Sequence, residues 1–386
     1  MSTSSTTPIT LRGMTWDHPR GYDCLHAADA TRGGDSAVRV AWDKRSLKDF
    51  GDAPLSQLAR TYDLLVIDHP HAGQAAASGA LLPLDRLLAA EALDALDDGQ
   101  SGPSFTSYHY AGHLWALAID AACQVASYRP DRIDPSELPR DWDGFFEFAK
   151  AQRRKGCFCG MALCPTDALC SFLTLSAQFG DAPDETGKWV SESTFLDVVD
   201  MLRRIADVCV PESLNWNPIR LYEAMATDTS GTLVYAPLAF GYTNYARNSY
   251  RPQRLAYSGI PGRTHALLGG AGIAVSAHSA HPEQAAAYGL WLCQAERQCG
   301  VYLEHGGQPA HPAVWRDAAA DALCGGFFSG TRDTLRHAYQ RPRFPGWPHF
   351  QETLGDTVLA CLRSELDARV AWSQLNGMLD KVVGSV

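Results

Sequence analysis

The chain has 386 residues, with 43 acidic and 33 basic side chains, a formal net charge of −10, and 46% hydrophobic positions. This length supports two hydrophobic cores and exceeds one ordinary domain, so we predict two domains. The surplus of negative charge opposes binding to phosphate, which argues against nucleic acid as a partner.

The first residues, MSTSSTTPIT, lack the basic and apolar regions of a secretory signal. No stretch approaches the roughly 18 uninterrupted apolar residues of a membrane-spanning helix, so we expect no membrane insertion. As written, the sequence predicts a cytoplasmic protein. A periplasmic location would follow if an export signal had been removed.

Eleven cysteines, an odd number, are scattered from Cys24 to Cys361. This usage fits free thiols in a reduced compartment better than a disulfide framework. A local group, consisting of Cys157, Cys159, Cys164 and Cys170, lacks paired CxxC spacing, and free cysteine is commonly a small buried hydrophobe. We therefore expect no metal, and nothing in the sequence indicates a cofactor.

Apolar runs alternate with segments of helical period from the beginning of the chain, which is the pattern of an α/β protein. Strands are predicted over 9–15, 36–42 and 62–68, and helices over 22–30 and 55–60. In open α/β sheets, ligands bind beyond the carboxyl ends of the strands. The polar turns that follow the first and third strands are therefore expected at one edge of the sheet.

Two extended runs, with Asp120 between them, predict a crossing between lobes over 113–128. Beyond it, the predicted helices cover 141–153, 165–175, 195–208 and 281–303, with mostly helical sequence from about 315, and the predicted strands cover 158–163, 233–237 and 273–275. The glycines at 269–272 predict a backbone turn, since neither a clear helix start nor a lysine follows as in a phosphate-binding loop.

Three segments together carry a family resemblance. The run GHLWALAID at 112–120, then YRP at 128–130 and LPRDW at 138–142, resembles the core pattern of family 1 extracellular solute-binding proteins. The later LGGAGIAVS at 268–276 and GGQP at 306–309 are similar to the return crossing of that family. These proteins are the periplasmic or lipoprotein receptors of ABC importers for sugars and related solutes.

The resemblance implies an α/β, two-lobed, periplasmic-binding-protein-like (type II) fold with a ligand cleft between the lobes and a helical C-terminal region. Residues 1–120 with 262–320 would form lobe 1, and 121–261 would form lobe 2. The helices of 321–386 would pack on both lobes. Segments 120–124 and 258–262 would act as the hinge that closes the cleft.

Carried over position by position, the resemblance implies ligand contacts at Trp16, Asp17, His18, Arg20, Tyr22, Asp68, His69, Asp120, Thr166, Asp167, Tyr242, Asn244, Tyr245, Gly270 and Gln308. The first turn offers an aromatic face and charged groups that can stack on a ring and clamp polar substituents. Alternatively, Asp17 caps the next helix and Trp16 packs in the core. The aromatic turn 240–245 suits sugar rings or small aromatic ligands, or else forms a stacked aromatic core.

Two functions remain open. The first is a binding protein that closes on a small polar or ring-containing solute, carbohydrate-like or a small organic acid, with an ABC importer permease as partner if the chain is exported. The second is a cytosolic enzyme on the same fold, for which thiaminase I, with its cleft cysteine, is a precedent. Its catalytic candidates are His18, Asp68, His69, Asp120 and Cys123.

The pair Asp68 and His69 is either an acid/base couple or a helix cap beside a hydrogen-bonded histidine. The absence of an export signal favours an enzyme or a cytosolic sensor. The family resemblance favours binding, which we take as the first hypothesis.

Overall fold

The structure is a computed structural model that describes residues 9–32, 37–46, 54–99 and 102–384. The chain divides into two compact units. Unit 1 comprises Met1–Ala121 and Gly270–Ala320, and unit 2 comprises Ala122–Gly269 and Asp321–Val386. The lobe limits and hinge segments implied by the resemblance remain predictions.

Strands and helices alternate along the described chain. The strands are β1 (Ile9–Trp16), β2 (Val38–Arg45), β3 (Leu64–Ile67), β4 (His109–Tyr110), β5 (His113–Leu114), β6 (Leu117–Tyr128), β7 (Phe158–Cys159), β8 (Leu233–Phe240), β9 (Ala256–Ser258) and β10 (Leu268–Val275). The α-helices are α1 (Cys24–Thr31), α2 (Leu55–Ala59), α3 (Ala72–Ser78), α4 (Ala90–Asp94), α5 (Trp142–Arg154), α6 (Pro165–Phe179), α7 (Glu192–Val208), α8 (Pro218–Thr227), α9 (Pro282–Cys293), α10 (Ala295–Arg297), α11 (Pro312–Arg316), α12 (Ala318–Leu323), α13 (Phe327–Arg336), α14 (Trp347–Leu362) and α15 (Ala368–Val383).

The sheet of unit 1 is built around β1, which pairs in parallel with β2 on one side and with β3 on the other. β10 then runs antiparallel to β3. All four residues of β3 are buried, as expected for a continuous apolar run at the centre of a sheet. The predicted strands at the beginning of the chain are thus confirmed, with ends shifted by a few residues.

The sheet of unit 2 combines antiparallel and parallel pairs. The second half of β6 runs antiparallel to β8 and β9, and β7 is parallel to β8. The C-terminal helices α14 and α15 pack against α6 and α7. The predicted cap of α5 is confirmed, because the carboxylate of Asp141 accepts a hydrogen bond of 2.7 Å from the backbone N–H of Gly144.

Three predicted elements differ from the structure. Residue Asp120 does not separate two runs but lies inside the continuous strand β6. The strand predicted over 158–163 contains only Phe158–Cys159. The turn predicted over 269–272 is wrong, since these residues belong to β10. Gly270 has a φ of +114°, and a Cβ there would lie 2.3 Å from the carbonyl oxygen of Asp120. The glycine therefore allows close approach of the backbones.

Among the helices of the described ranges, none has both the length and the apolar composition of a membrane span.

Candidate functional site

The polar turn after β1 is a short π-helix, Pro19–Asp23, capped by His18. The ring Nδ1 of His18 accepts a hydrogen bond of 3.1 Å from the backbone N–H of Arg20. An accepting Nδ1 carries no proton, so the neutral ring holds its proton on Nε2. Asp17 is not the cap. Its exposed carboxylate pairs with the Lys44 ammonium at 2.7 Å.

Arg20 and Asp120 form a buried ion pair in unit 1. The guanidinium donates two hydrogen bonds to the carboxylate, from Nε at 2.7 Å and from Nη2 at 2.5 Å. The two side chains are only 6% and 1% exposed. Burial raises the pKa of the Asp120 carboxyl, and the charge of Arg20 opposes this shift. The structure thus joins two residues that the sequence separates by one hundred positions.

Two further predicted residues support the backbone beside this pair. The side-chain amide of Gln308 donates to the carbonyl of Ala121 at 2.8 Å, and the N–H of Ala121 donates to the carbonyl of Gln308 at 3.1 Å. Gly270 lies against the carbonyl of Asp120. Both residues therefore have a structural role at the strand that carries Asp120, while their predicted ligand contacts remain predictions.

Asp68 and His69 follow β3, which is parallel to β1, so they lie at the same edge of the sheet as the His18 turn. Oδ1 of Asp68 accepts from the backbone N–H of His69 at 2.8 Å and lies 3.1 Å from its ring Nδ1. Asp68 is thus both helix cap and histidine partner. Its negative charge also contributes to the raised pKa of Asp120.

The two aromatic residues of the first turn differ in accessibility. Trp16 is 4% exposed, and a Cβ on Gly21 would lie 2.3 Å from its ring, so the indole packs against the π-helix as the core alternative predicts. Tyr22 is half-buried and stacks on His26 with 5.7 Å between ring centroids. The ammonium of Lys44 lies 4.8 Å from the centre of the Tyr22 ring.

In unit 2, Thr166 and Asp167 lie in the first turn of α6. Thr166 is exposed, whereas Asp167 is 5% exposed. Among the residues that the structure describes, the carboxylate of Asp167 receives one hydrogen bond, from the thiol of Cys164 at 3.1 Å. Burial raises the pKa of Asp167 to about 7, because the charged carboxylate loses its hydration and the hydrogen bond from Cys164 only partly replaces it.

The aromatic turn of unit 2 belongs to a packed tyrosine cluster. Tyr242, Asn244 and Tyr245 are each at most 5% exposed, and the rings of Tyr222 and Tyr245 lie 5.3 Å apart. The hydroxyl of Tyr245 donates to Glu223 at 2.8 Å. Burial, joined by this bond, raises the pKa of Tyr245. These contacts favour the stacked-core alternative for Tyr245.

Cys123 does not have the surroundings of a nucleophile. The thiol is 3% exposed, and burial raises its pKa well above the usual range. Nucleophilic cysteines need a stabilised thiolate, which polar or positively charged neighbours provide. The structure therefore argues against covalent catalysis through Cys123.

Three residues of these clusters were not predicted from the sequence as site residues. Lys44 contacts both Asp17 and Tyr22, Cys164 donates to Asp167, and Glu223 binds Tyr245 and Arg251. Only Cys164 had a local signal, since it lies three residues before Asp167 at the start of a helix. Lys44 and Glu223 make their contacts with residues of other elements, which no local pattern in the sequence indicates. In the described ranges, no three His, Cys, Asp or Glu side chains form a group suited to a metal ion.

Comparison with known proteins supports one family. The family described as bacterial extracellular solute-binding protein matches residues 49–321. A curated relative from Sinorhizobium fredii, named as a probable amino-acid ABC transporter periplasmic-binding protein, is 25% identical over 199 residues. That match spans 50% of this chain and 45% of the relative.

Solved structures confirm the predicted two-lobed α/β fold class. An ABC transporter solute-binding protein from Agrobacterium radiobacter K84, in complex with ribitol, has a TM-score of 0.82 at 18% identity and covers 97% of this chain and 100% of its own. The maltose-bound MalE3 protein of T. maritima and a solute-binding protein of Thermotoga lettingae with α-D-tagatose both score 0.80, at 16% and 17% identity, and both cover 97% of this chain and 99% of their own.

Proposed function

Because the chain belongs to the bacterial extracellular solute-binding proteins, we propose that it binds a small polyhydroxylated solute, a sugar or sugar alcohol, and delivers it to an ABC importer permease. The protein acts outside the cytoplasmic membrane, where a solute receptor meets its ligand. Solute binding, delivery to a permease and this location are inferred from the family. The class of ligand is inferred from particular side chains.

The observation that carries the ligand class is the Asp167 carboxyl group. It is 5% exposed and receives one hydrogen bond, from Cys164, within the described parts of the chain. A buried carboxylate has about four acceptor positions and is costly to leave underused. Hydroxyl groups of a polyol donate to a carboxylate in charge-assisted bonds, about twice as strong as neutral ones. A polyhydroxylated solute therefore matches this group.

Unit 1, taken by itself, has groups suited to hydroxyls at the edge of its sheet. The Asp68 carboxylate is 21% exposed and can accept from hydroxyls. The tautomer of His18 makes its Nε2 a donor, and Tyr22 offers a half-buried ring. We propose Asp68, His18 and Tyr22 as solute contacts of unit 1, where the ion pair of Arg20 with Asp120 holds the sheet edge in place.

The likeness to proteins with ribitol, maltose and α-D-tagatose bound agrees with this ligand class. The named function of the curated relative points to amino acids instead. The experiment therefore compares the two classes. Calorimetric titration of the purified chain with ribitol, maltose, α-D-tagatose, L-glutamine and L-arginine should give saturable binding for at least one of the first three. Binding of the amino acids alone would overturn the proposal.

Matched variants test the site. Asp167→Asn should weaken binding of the best solute by roughly 10- to 100-fold, because a charge-assisted hydrogen bond is lost. Asp143→Asn, which removes an exposed acid from the first turn of α5, should bind like the wild type. Unchanged affinity in Asp167→Asn would remove Asp167 from the site. Mass spectrometry of the recovered solute should show an unchanged mass, whereas a changed mass would favour the enzyme hypothesis.

A further inference from the structure

Two cysteines of unit 2, far apart in the sequence, occupy paired positions on neighbouring backbone segments. Cys159 ends β7, and Cys209 follows α7. The two residues form a parallel β-bridge, and the N–H of Val210 donates to the carbonyl of Cys159 at 2.9 Å. Both side chains are buried, at 1% and 4% exposure, and both are in the thiol form in this structure.

This arrangement fits the geometry that a disulfide requires. Paired residues on neighbouring strands have Cα atoms about 4.8 Å apart, and their side chains point to the same face. Disulfides join Cα atoms that are roughly 4.4 to 6.8 Å apart. Burial is the larger cause of the raised pKa of Cys159, and a charge on Cys209 raises it further. This second effect indicates that the two thiols are close neighbours.

We propose that Cys159 and Cys209 form a disulfide when the chain folds in the oxidising environment that extracellular proteins meet. With glutathione disulfide as oxidant, the thiolate of one cysteine attacks a glutathione sulfur and releases one glutathione. The second cysteine thiolate then displaces the other glutathione. The protein loses two protons and two electrons, and both are carried away by the two reduced glutathione molecules that leave. Burial restricts this exchange to the time before packing is complete.

The test is refolding of the denatured full chain in a buffer of reduced and oxidised glutathione, compared with refolding in excess dithiothreitol. After alkylation and digestion without reduction, mass spectrometry should identify one linked pair of peptides, containing Cys159 and Cys209. Thiol titration should fall by two from the eleven of the reduced chain. The melting temperature should rise by about 5 °C relative to the reduced protein.

Two alanine variants complete the test. Cys209→Ala should lose the linked peptides and the dependence of melting temperature on the redox buffer. Cys293→Ala, which removes another buried thiol, from α9 of unit 1, should keep both. Eleven free thiols after refolding in glutathione would overturn the proposal. Linkage of Cys157, two residues before Cys159, to either partner would overturn it as well. Neither result bears on solute binding, which is measured separately.

Discussion

The substitution Asp167→Asn should stabilise the protein above neutral pH. Asp167 is buried at the start of α6, and its pKa is raised to about 7 because burial disfavours its charged form. In the unfolded chain the carboxyl group returns to an ordinary value near 4. Between these two values, the folded state holds a proton that the unfolded state has released. The free energy of unfolding therefore falls as the pH rises through this window.

The size of this effect on the free energy of unfolding follows from the pKa of Asp167, which is about three pKa units higher in the folded chain than in the unfolded chain. Each unit corresponds to about 1.4 kcal/mol, so a charged Asp167 costs up to roughly 4 kcal/mol at pH 8. At pH 5 the folded group is protonated, and the cost is reduced by about 2 to 3 kcal/mol. Asparagine stays neutral, and its amide oxygen can still accept from Cys164. The advantage of Asp167→Asn should therefore grow from pH 5 to pH 8.

Urea denaturation followed by tryptophan fluorescence at pH 5, 6, 7 and 8 measures this difference. Asp143→Asn controls for removal of a negative charge from a helix N-terminus, and should change stability by no more than about 1 kcal/mol. A variant Asp167→Asn that is less stable than the wild type at pH 8 would refute the reasoning. So would a difference in stability that stays constant with pH. Higher stability combined with weaker solute binding is the expected signature of a group kept for function.

Two other substitutions test the backbone approach and the ion pair at Asp120 in unit 1. Gly270→Ala should lower the free energy of unfolding by roughly 3 kcal/mol, because Gly270 has a positive φ and a Cβ there would lie 2.3 Å from the Asp120 carbonyl oxygen. The control Gly180→Ala, at a φ of +80° with open space around the new Cβ, should lower it by about 1 kcal/mol. Equal losses of stability in thermal denaturation would contradict this prediction. Arg20→Leu should cost about 3 to 5 kcal/mol at pH 8 by leaving the Asp120 charge buried. The double variant with Asp120→Leu should recover most of that loss, and a double variant as unstable as the single one would count against the ion-pair argument.

Much of the local structure was predictable from the sequence. The apolar run at 62–68 indicated a buried strand, which the structure has at Leu64–Ile67, and Asp141 indicated the start of α5. The order of the motifs over 112–142 and 268–309 indicated the family. These features depend on residues close together in the chain, whose periodicity and capping chemistry act before any long-range contact forms.

The placement of the site residues could be predicted only as far as the sheet edge. The sequence predicted that the turns after β1 and β3 lie at one edge of the sheet, and the parallel pairing of these two strands confirms it. It did not indicate that Trp16 packs against Gly21, or that Tyr245 is bound to Glu223. Aromatic residues in a polar turn suit a ligand or a core equally well, and only packing distinguishes the two.

The sequence by itself determined the alternation of strands and helices, the family pattern and the residue types available at each turn. Tertiary structure alone decided which charges are desolvated and which groups they meet. The ion pair of Arg20 with Asp120, the approach of Gly270 to β6, and the burial of Asp167 are of this kind. Desolvation depends on elements that are distant in the chain and close in space, and no local pattern records that proximity.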